Sequence, residues 1–195
     1  MKATELLKKQ HKEVQDLFKR IEKAKDDGTK SELFEQLAAN LVAHDGIERH
    51  IFYPACEEAM GMTDLLGESL VEHGAVEFMV YQADQAQGQD DFDYKCTVLQ
   101  EVLEHHIEEE EKEFFPKVER ALGRERLEEL ATEMQEHFEE LMAEDFRTPL
   151  HENLKQVLAG AIKPTPKRGS SRNGSRKKTS SRRPSGTRRA VRKSA

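Results

Sequence analysis

Residues 44–54 of this chain read HDGIERHIFYP, and residues 106–116 read HIEEEEKEFFP. Both stretches place a histidine ten residues before a proline, a glutamate six residues before it and two aromatic residues directly ahead of it. Because positions i and i+4 share one face of an α-helix, each stretch projects an imidazole and a carboxylate from the same face. The repeat predicts two similar helices, one from each half of the chain, that approach a shared site.

Apolar residues recur at helical spacing on both sides of this repeat, and no segment alternates with the period of two that marks a β-strand. Short connections between such helices favour antiparallel neighbours. We therefore predict an all-α fold, an antiparallel up-down four-helix bundle with one or two additional C-terminal helices. The second and fourth helices are expected to end near Pro54 and Pro116, and a fifth helix is expected to run from Arg124 to about Glu144.

The charge of the chain is divided unevenly. Residues 163–195 hold five Lys and eight Arg without an acidic residue, which gives them a charge of +13. The other 162 residues carry 18 basic and 38 acidic side chains, a net charge of −20. A segment dominated by charge, Ser, Thr and Gly cannot compensate its ordering entropy, so we predict a disordered basic tail. The predicted domains are the bundle over residues 1–120, additional helices over residues 121–162, and the tail over residues 163–195.

The two cysteines, Cys56 and Cys96, lie far apart and can build neither a disulfide framework nor a zinc ribbon. The sequence also has no apolar run that resembles a signal peptide or a transmembrane helix. We therefore expect a cytoplasmic protein without a membrane partner. The sequence does not indicate its oligomeric state.

Each of the four predicted bundle helices carries a histidine on its apolar face, and three of these histidines have a glutamate four residues later. A single histidine in such a position is usually an ordinary core residue, and a single HxxxE pair means little in a chain this rich in glutamate. Burying all of these groups together would cost on the order of several kcal/mol per charged group unless a cation compensates them. Imidazole and carboxylate ligands without a thiolate suit iron, manganese or zinc. The predicted metal ligands are His11, His44, Glu48, His73, Glu77, His106 and Glu110.

With these motifs, residues 1–120 resemble the hemerythrin-like (HHE) cation-binding family. The resemblance rests on the lone His11, on HxxxE ahead of Tyr-Pro and of Phe-Pro in the repeat, and on the adjacent Glu72 and His73. It implies a four-helix bundle with two non-haem iron ions (Fe2+/Fe3+) that are bridged by carboxylates and an oxo or hydroxo group. By the same resemblance, Glu48 and Glu110 are the bridging carboxylates, and the remaining predicted ligands are terminal.

Two positions depart from the oxygen-carrying hemerythrins. Those proteins have HxxxH in the third helix, whereas this chain has Glu77 in place of the second histidine. An anionic ligand there should stabilise ferric iron and disfavour reversible oxygen carriage. The carriers also place the fourth-helix carboxylate five residues after its histidine, a spacing that His105 and Glu110 satisfy. The register of the repeat favours His106 as the ligand, with His105 as the alternative ligand or a supporting neighbour.

The sequence therefore favours a non-haem di-iron protein that binds or responds to oxygen, peroxide, nitric oxide or iron, as in a stress response. Whether it also has catalase- or peroxidase-like activity stays open. Ferritin-like iron mineralisation is disfavoured because none of the eight histidines follows a glutamate at the Glu-x-x-His spacing. The alternative is a nucleic-acid-associated or scaffold protein, in which the tail binds DNA, RNA or another polyanion without sequence preference and the bundle is a structural metal-binding module.

Overall fold

Every regular element in residues 1–160, the part of the chain that the computed structural model describes, is helical. Two π-helical turns, Glu48–Phe52 and Glu110–Phe114, interrupt otherwise continuous helical runs. The α-helices are α1 (Ala3–Lys23), α2 (Asp27–Ile47), α3 (Tyr53–Met60), α4 (Asp64–Asp84), α5 (Phe92–Glu109), α6 (Phe115–Met142) and α7 (Arg147–Leu158). The predicted all-α class is confirmed for this part of the chain.

Pro54 and Pro116 lie in the first turns of α3 and α6, not at helix ends. A proline is tolerated there because the N–H that it lacks would have no intrahelical partner in any case. A π turn precedes each proline and carries the helical run onward, so the expected helix ends at Pro54 and Pro116 are wrong. The helical run that begins with α5 and continues through the second π turn into α6 is interrupted at Gly123. The φ of this residue, 72°, is a backbone conformation that favours glycine.

Two apolar clusters fill the interior, and a layer of polar side chains separates them. On α1, Leu7 belongs to one cluster and Val14 to the other, and the buried His11 lies between them in the sequence. Because neighbouring helices follow the same order, their polar residues meet at one level of the fold. The order recurs on α2 (Val42, His44, Ile47) and on α4 (Val76, His73, Leu70).

Most of α6 and all of α7 lie beyond the repeat in the sequence. Helix α6 packs against α1 and α2, and α7 packs against α4. Leu150 and Leu154 of α7 are buried in one of the two apolar clusters. Arg147, at the start of α7, donates a hydrogen bond to Asp84 of α4 at 2.6 Å and another to Glu35 of α2. Helix α7 is thereby joined to two helices of the bundle.

No helix within residues 1–160 combines the length and the apolar character that crossing a membrane requires. The predicted basic tail, residues 163–195, lies outside the described residues and stays a prediction. The boundary predicted at residue 120 falls inside α6, so the division between residues 1–120 and residues 121–162 also stays a prediction.

Two leucines on α7 test whether this helix contributes to stability. Leu150 is fully buried, whereas Leu158 is 79% exposed. We expect Leu150→Ala to lower the free energy of unfolding by about 2–5 kcal/mol, because it leaves a cavity in the core. The matched Leu158→Ala variant should change it by less than about 0.5 kcal/mol. Urea unfolding followed by circular dichroism measures both, and equal effects of the two substitutions would show that α7 does not dock as described.

Candidate metal centre

The polar layer brings four imidazoles and two carboxylates together from four helical runs. Their donor atoms form two groups, in each of which the atoms lie within 4.8 Å of one another, and Glu48 belongs to both groups. All six residues are buried, and none is more than 5% exposed. We call these six residues the inner group: His11, His44, Glu48, His73, His106 and Glu110.

Glu48 lies between two of the histidines. Its Oε2 atom is 3.3 Å from Nε2 of His44 and 3.1 Å from Nε2 of His73. Glu48 is the first residue of the first π turn, one helical turn after His44 on the same face. Its carboxylate therefore reaches one histidine of its own helix and one of α4.

Glu110 occupies the corresponding place in the other half of the repeat. Its Oε2 atom is 3.5 Å from Nε2 of His11 and 3.7 Å from Nε2 of His106. Since the Nε2 atoms of His11 and His44 are 3.2 Å apart, these two histidines form one pair, and His73 and His106 form the other. Each carboxylate thus reaches one histidine of each pair.

A second layer of bonds orients every histidine of the inner group. In each case the Nδ1 atom of the histidine contacts a side-chain oxygen from a neighbouring helix. The residue that supplies this oxygen is the direct sequence neighbour of another member of the inner group. With Nδ1 engaged, Nε2 is left facing the centre, as in carboxylate–histidine–metal arrangements. The pairs are Gln10 with His44 (2.8 Å), Asp45 with His73, Glu72 with His106 (2.9 Å) and Glu111 with His11 (2.8 Å).

The two carboxylates of the inner group differ in protonation. Although burial alone would raise it, the neighbouring His44 and His73 hold the pKa of Glu48 well below its usual range. Burial and the charge of Glu48 raise the pKa of Glu110 well above its usual range. Two carboxylates this close cannot both ionise without a compensating positive charge. A divalent cation between them would replace the proton on Glu110.

Two of the histidines are held in the form that binds metals. Burial lowers the pKa of His11 to about 4 and also lowers the pKa of His106, so both imidazoles are neutral near pH 7. His73 differs: burial would lower its pKa, but the bonds and charges of Asp45 and Glu48 raise it to about 10. A cation at Nε2 would take the place of the proton that His73 holds between these two carboxylates.

Three donor atoms of the inner group are buried without a hydrogen-bond partner among residues 1–160. They are Oε1 of Glu48, Oε2 of Glu110 and Nε2 of His106. An unpaired buried carboxylate oxygen is costly, and proteins usually satisfy such atoms. Because these atoms belong to groups of imidazole and carboxylate donors, the residues present fit one or two cations of the iron, manganese or zinc type.

Glu77, the seventh predicted ligand, is not brought into the inner group. Its Oε2 atom accepts a hydrogen bond from Nη2 of Arg49 at 3.0 Å, and Arg49 also donates to Asp45 at 2.7 Å. Burial and the nearby Asp45 raise the pKa of Glu77 to about 9 despite Arg49. A buried arginine, which the sequence analysis did not consider, therefore holds Glu77 in the second layer. There Asn153 of α7 also donates to Asp45 at 3.3 Å.

Tyr53 is a functional candidate whose role could not be assigned from the sequence. Its hydroxyl is 2.8 Å from Nε2 of His73, 3.1 Å from Glu110 and 3.4 Å from Glu48. Burial and the two carboxylates raise the pKa of Tyr53 well above its usual range, so the hydroxyl keeps its proton. Tyr53 follows Glu48 by five positions, a spacing that places two residues on different faces of an α-helix but on one face across a π turn. The repeat itself held a signal, because the residue before its proline is Tyr53 in one half and Phe115 in the other. The two halves therefore differ there by a hydroxyl group.

The structure also separates His105 from His106. His106 belongs to the inner group, whereas the His105 side chain is 65% exposed and lies on the outer side of α5. The register of the repeat thus selected the histidine that faces Glu110.

The pKa shifts predict how the metal-free protein responds to pH. Its folded state holds a proton on His73 up to about pH 10, whereas an unfolded histidine releases it near pH 6.5. The free energy of unfolding should therefore fall as the pH rises from 6.5 to 10, and Glu77 acts in the same direction up to about pH 9. Asp45 raises both pKa values, so Asp45→Asn should flatten this slope.

Urea unfolding of chelator-treated protein between pH 6.5 and 9.5 measures the slope. The exposed Asp16→Asn variant is the matched control and should behave as the wild type. Parallel slopes for the wild type and Asp45→Asn would refute the assignment of the proton to this network.

Comparison with known proteins places this site in a family. Residues 2–118 match the sequence model of the Hemerythrin HHE cation binding domain. Among solved structures, the chain is similar to a hemerythrin HHE cation binding domain-containing protein from Mycobacterium kansasii. The two are 24% identical, with a TM-score of 0.64 over 83% of this chain and 94% of the other, a likeness that shows the shared fold. No curated protein matches the chain. Since the family match covers more than half of its length, the chain belongs to the hemerythrin HHE cation-binding family.

Proposed function

We propose that this chain binds two iron ions in the inner group and reacts there with a small oxygen species, hydrogen peroxide in particular. The observation that carries the proposal is the set of three buried donor atoms, on Glu48, His106 and Glu110, that lack a hydrogen-bond partner among the described residues. Cations are the simplest way to satisfy them, because the surrounding atoms are imidazole nitrogens and carboxylate oxygens. Membership of a cation-binding family supports the same conclusion.

In this proposal the histidine pairs His11 with His44 and His73 with His106 would hold the two irons, and Glu48 and Glu110 would contribute carboxylate oxygens to both. The four helical runs that carry these residues form an antiparallel up-down bundle. The hydroxyl of Tyr53 also lies within reach of His73 and of both carboxylates, whereas Glu77 would not be a ligand because it is bonded to Arg49. When bound, the two irons supply electron exchange between ferrous and ferric states.

The space beside the inner group supports a small ligand. A cavity lined by Leu41, Val76 and Leu103 adjoins His44, His73 and His106. Its accessible volume of about 10 Å3 suits one water-sized molecule. Oxygen, nitric oxide and hydrogen peroxide are somewhat larger than water and would enter only with small side-chain movements, whereas a larger organic substrate would not fit. The apolar side chains on the wall would keep other water away from the metals.

Tyr53 favours peroxide chemistry over reversible oxygen carriage. Its hydroxyl keeps a proton at 3.1 Å from Glu110 and 2.8 Å from His73. Breaking the O–O bond of peroxide requires a proton for the departing oxygen, and a buried phenol beside the site can hold one. Carriage requires no such proton. Conversion of two hydrogen peroxide molecules into one oxygen molecule and two water molecules also needs no further reactant.

Metal content and peroxide turnover test this function together. Wild-type protein loaded with Fe2+ should contain about two irons per chain and should evolve oxygen from hydrogen peroxide. Glu48→Ala should lose most of the iron and the turnover, because it removes a shared ligand. Tyr53→Phe should retain more of the iron than Glu48→Ala while its turnover falls about 10²-fold, the low end for loss of a positioned acid.

The exposed Glu57→Ala variant on α3 is the matched control and should be indistinguishable from the wild type. Undiminished oxygen evolution by Glu48→Ala would contradict the site. Full iron content in the wild type without turnover would contradict the peroxide reaction.

We propose a second, separate activity for the tail, residues 163–195: binding of DNA or RNA without sequence preference. Its charge of +13 with no acidic residue supports contacts to phosphate backbones through counterion release. The absence of aromatic residues from this segment of the sequence argues against stacking on bases. The acidic remainder of the chain would not compete for the same phosphates.

Removal of residues 163–195 tests the tail. Full-length protein should bind duplex DNA with an affinity that falls on the order of 10³-fold between 50 and 200 mM salt. The shortened chain should lose this binding and keep its iron content. Binding that survives the removal, or that does not respond to salt, would refute the proposal.

A further inference from the structure

A second set of potential metal ligands lies on the surface beside the inner group. Nε2 of His105 is 3.5 Å from Oε1 of Glu72 and 3.8 Å from Oε1 of Glu109. The three donor atoms lie within 4.8 Å of one another, on the adjoining helices α4 and α5. We call these three residues the outer group.

The distances within the outer group suit a shared cation better than direct pairing. At 3.5 and 3.8 Å, neither contact of His105 is a good hydrogen bond. Ligand atoms that each lie about 2.1 Å from one metal ion are separated by roughly 3–4 Å. One imidazole and two carboxylates also form a mixed nitrogen and oxygen donor set that suits Fe2+, Mn2+ or Zn2+.

Glu72 connects the outer group to the inner group. Its Oε1 atom faces His105, and its Oε2 atom meets Nδ1 of His106 at 2.9 Å. The exposed fraction of the side chains falls from 65% at His105 to 19% at Glu72 and 2% at His106. A graded series of potential ligands therefore leads from solvent to a member of the inner group.

The inner group needs such a connection, because none of its six residues is more than 5% exposed. A cation cannot reach it without first shedding water near the surface. We propose that the outer group binds a divalent cation and is the point at which metal enters the inner group. The binding itself is independent of the proposed di-iron function, whereas the entering role rests on it.

Counting bound Mn2+ by electron paramagnetic resonance on the full-length, chelator-treated protein tests the binding. The double variant His105→Ala/Glu109→Gln should bind one Mn2+ fewer per chain than the wild type. The matched control His151→Ala/Glu101→Gln changes an exposed histidine and an exposed glutamate outside the group and should bind as the wild type does. Equal stoichiometry in the wild type and His105→Ala/Glu109→Gln would overturn the outer site.

Loading with limiting Fe2+ tests the entering role. His105→Ala/Glu109→Gln should take up iron about tenfold more slowly, the lower end of the effect of charge-lined clefts on association rates, and should reach the same final iron content. An unchanged rate would overturn the entering role. A lower final content would also overturn it, because the outer residues would then be part of the inner centre.

Glu48→Ala separates this inference from the proposed function. The variant should lose the buried iron and keep the single Mn2+ that depends on His105 and Glu109. Loss of that Mn2+ in Glu48→Ala would overturn an independent outer site. If the wild type did not load buried iron, the proposed function and the entering role would both be refuted. Cation binding by the outer group would still be decided by the Mn2+ count alone.

Discussion

Two carboxylates, Glu48 and Glu110, are buried within reach of the same histidines, and the centre of the fold depends on how their charge is balanced. Without a cation, Glu48 is ionised and Glu110 holds a proton. Cations held between them would allow both to ionise and would supply partners for the unpaired oxygens. The cost of this polar layer is tolerated because apolar clusters on both sides of it supply the stability of the bundle.

The second layer of hydrogen bonds links all the helices that carry the inner group. Gln10 on α1 meets His44 on α2, Asp45 on α2 meets His73 on α4, Glu72 on α4 meets His106 on α5, and Glu111, which follows α5, meets His11 on α1. The four bonds form a closed ring around the inner group. If one helix shifted, it would misplace its own inner-group histidine. It would also misplace the side chain that orients the histidine of the next helix. Helix α7 adds to this layer through Asn153, beyond the residues that the family match covers.

Periodicity and repeat register were sufficient to predict that the chain is helical and that the six residues of the inner group would lie on inward faces, because i, i+4 spacing fixes which side chains share a helix face. The choice of His106 over His105 followed from the same register. Glu77 was predicted from the same i, i+4 spacing to His73, and no periodic pattern could indicate that a buried Arg49 would hold its carboxylate. Tyr53 was missed because a π turn brings it to the face of Glu48, and α-helical spacing does not predict that position. The same turns carried the helices past Pro54 and Pro116.

Anomalous diffraction at the iron edge, from crystals of the protein loaded with Fe2+, tests the central claim most directly. The account predicts two peaks, about 3.5–4 Å apart, with Glu48 and Glu110 between them and one histidine pair on each. A single peak, or peaks that do not contact Glu48 and Glu110, would contradict it.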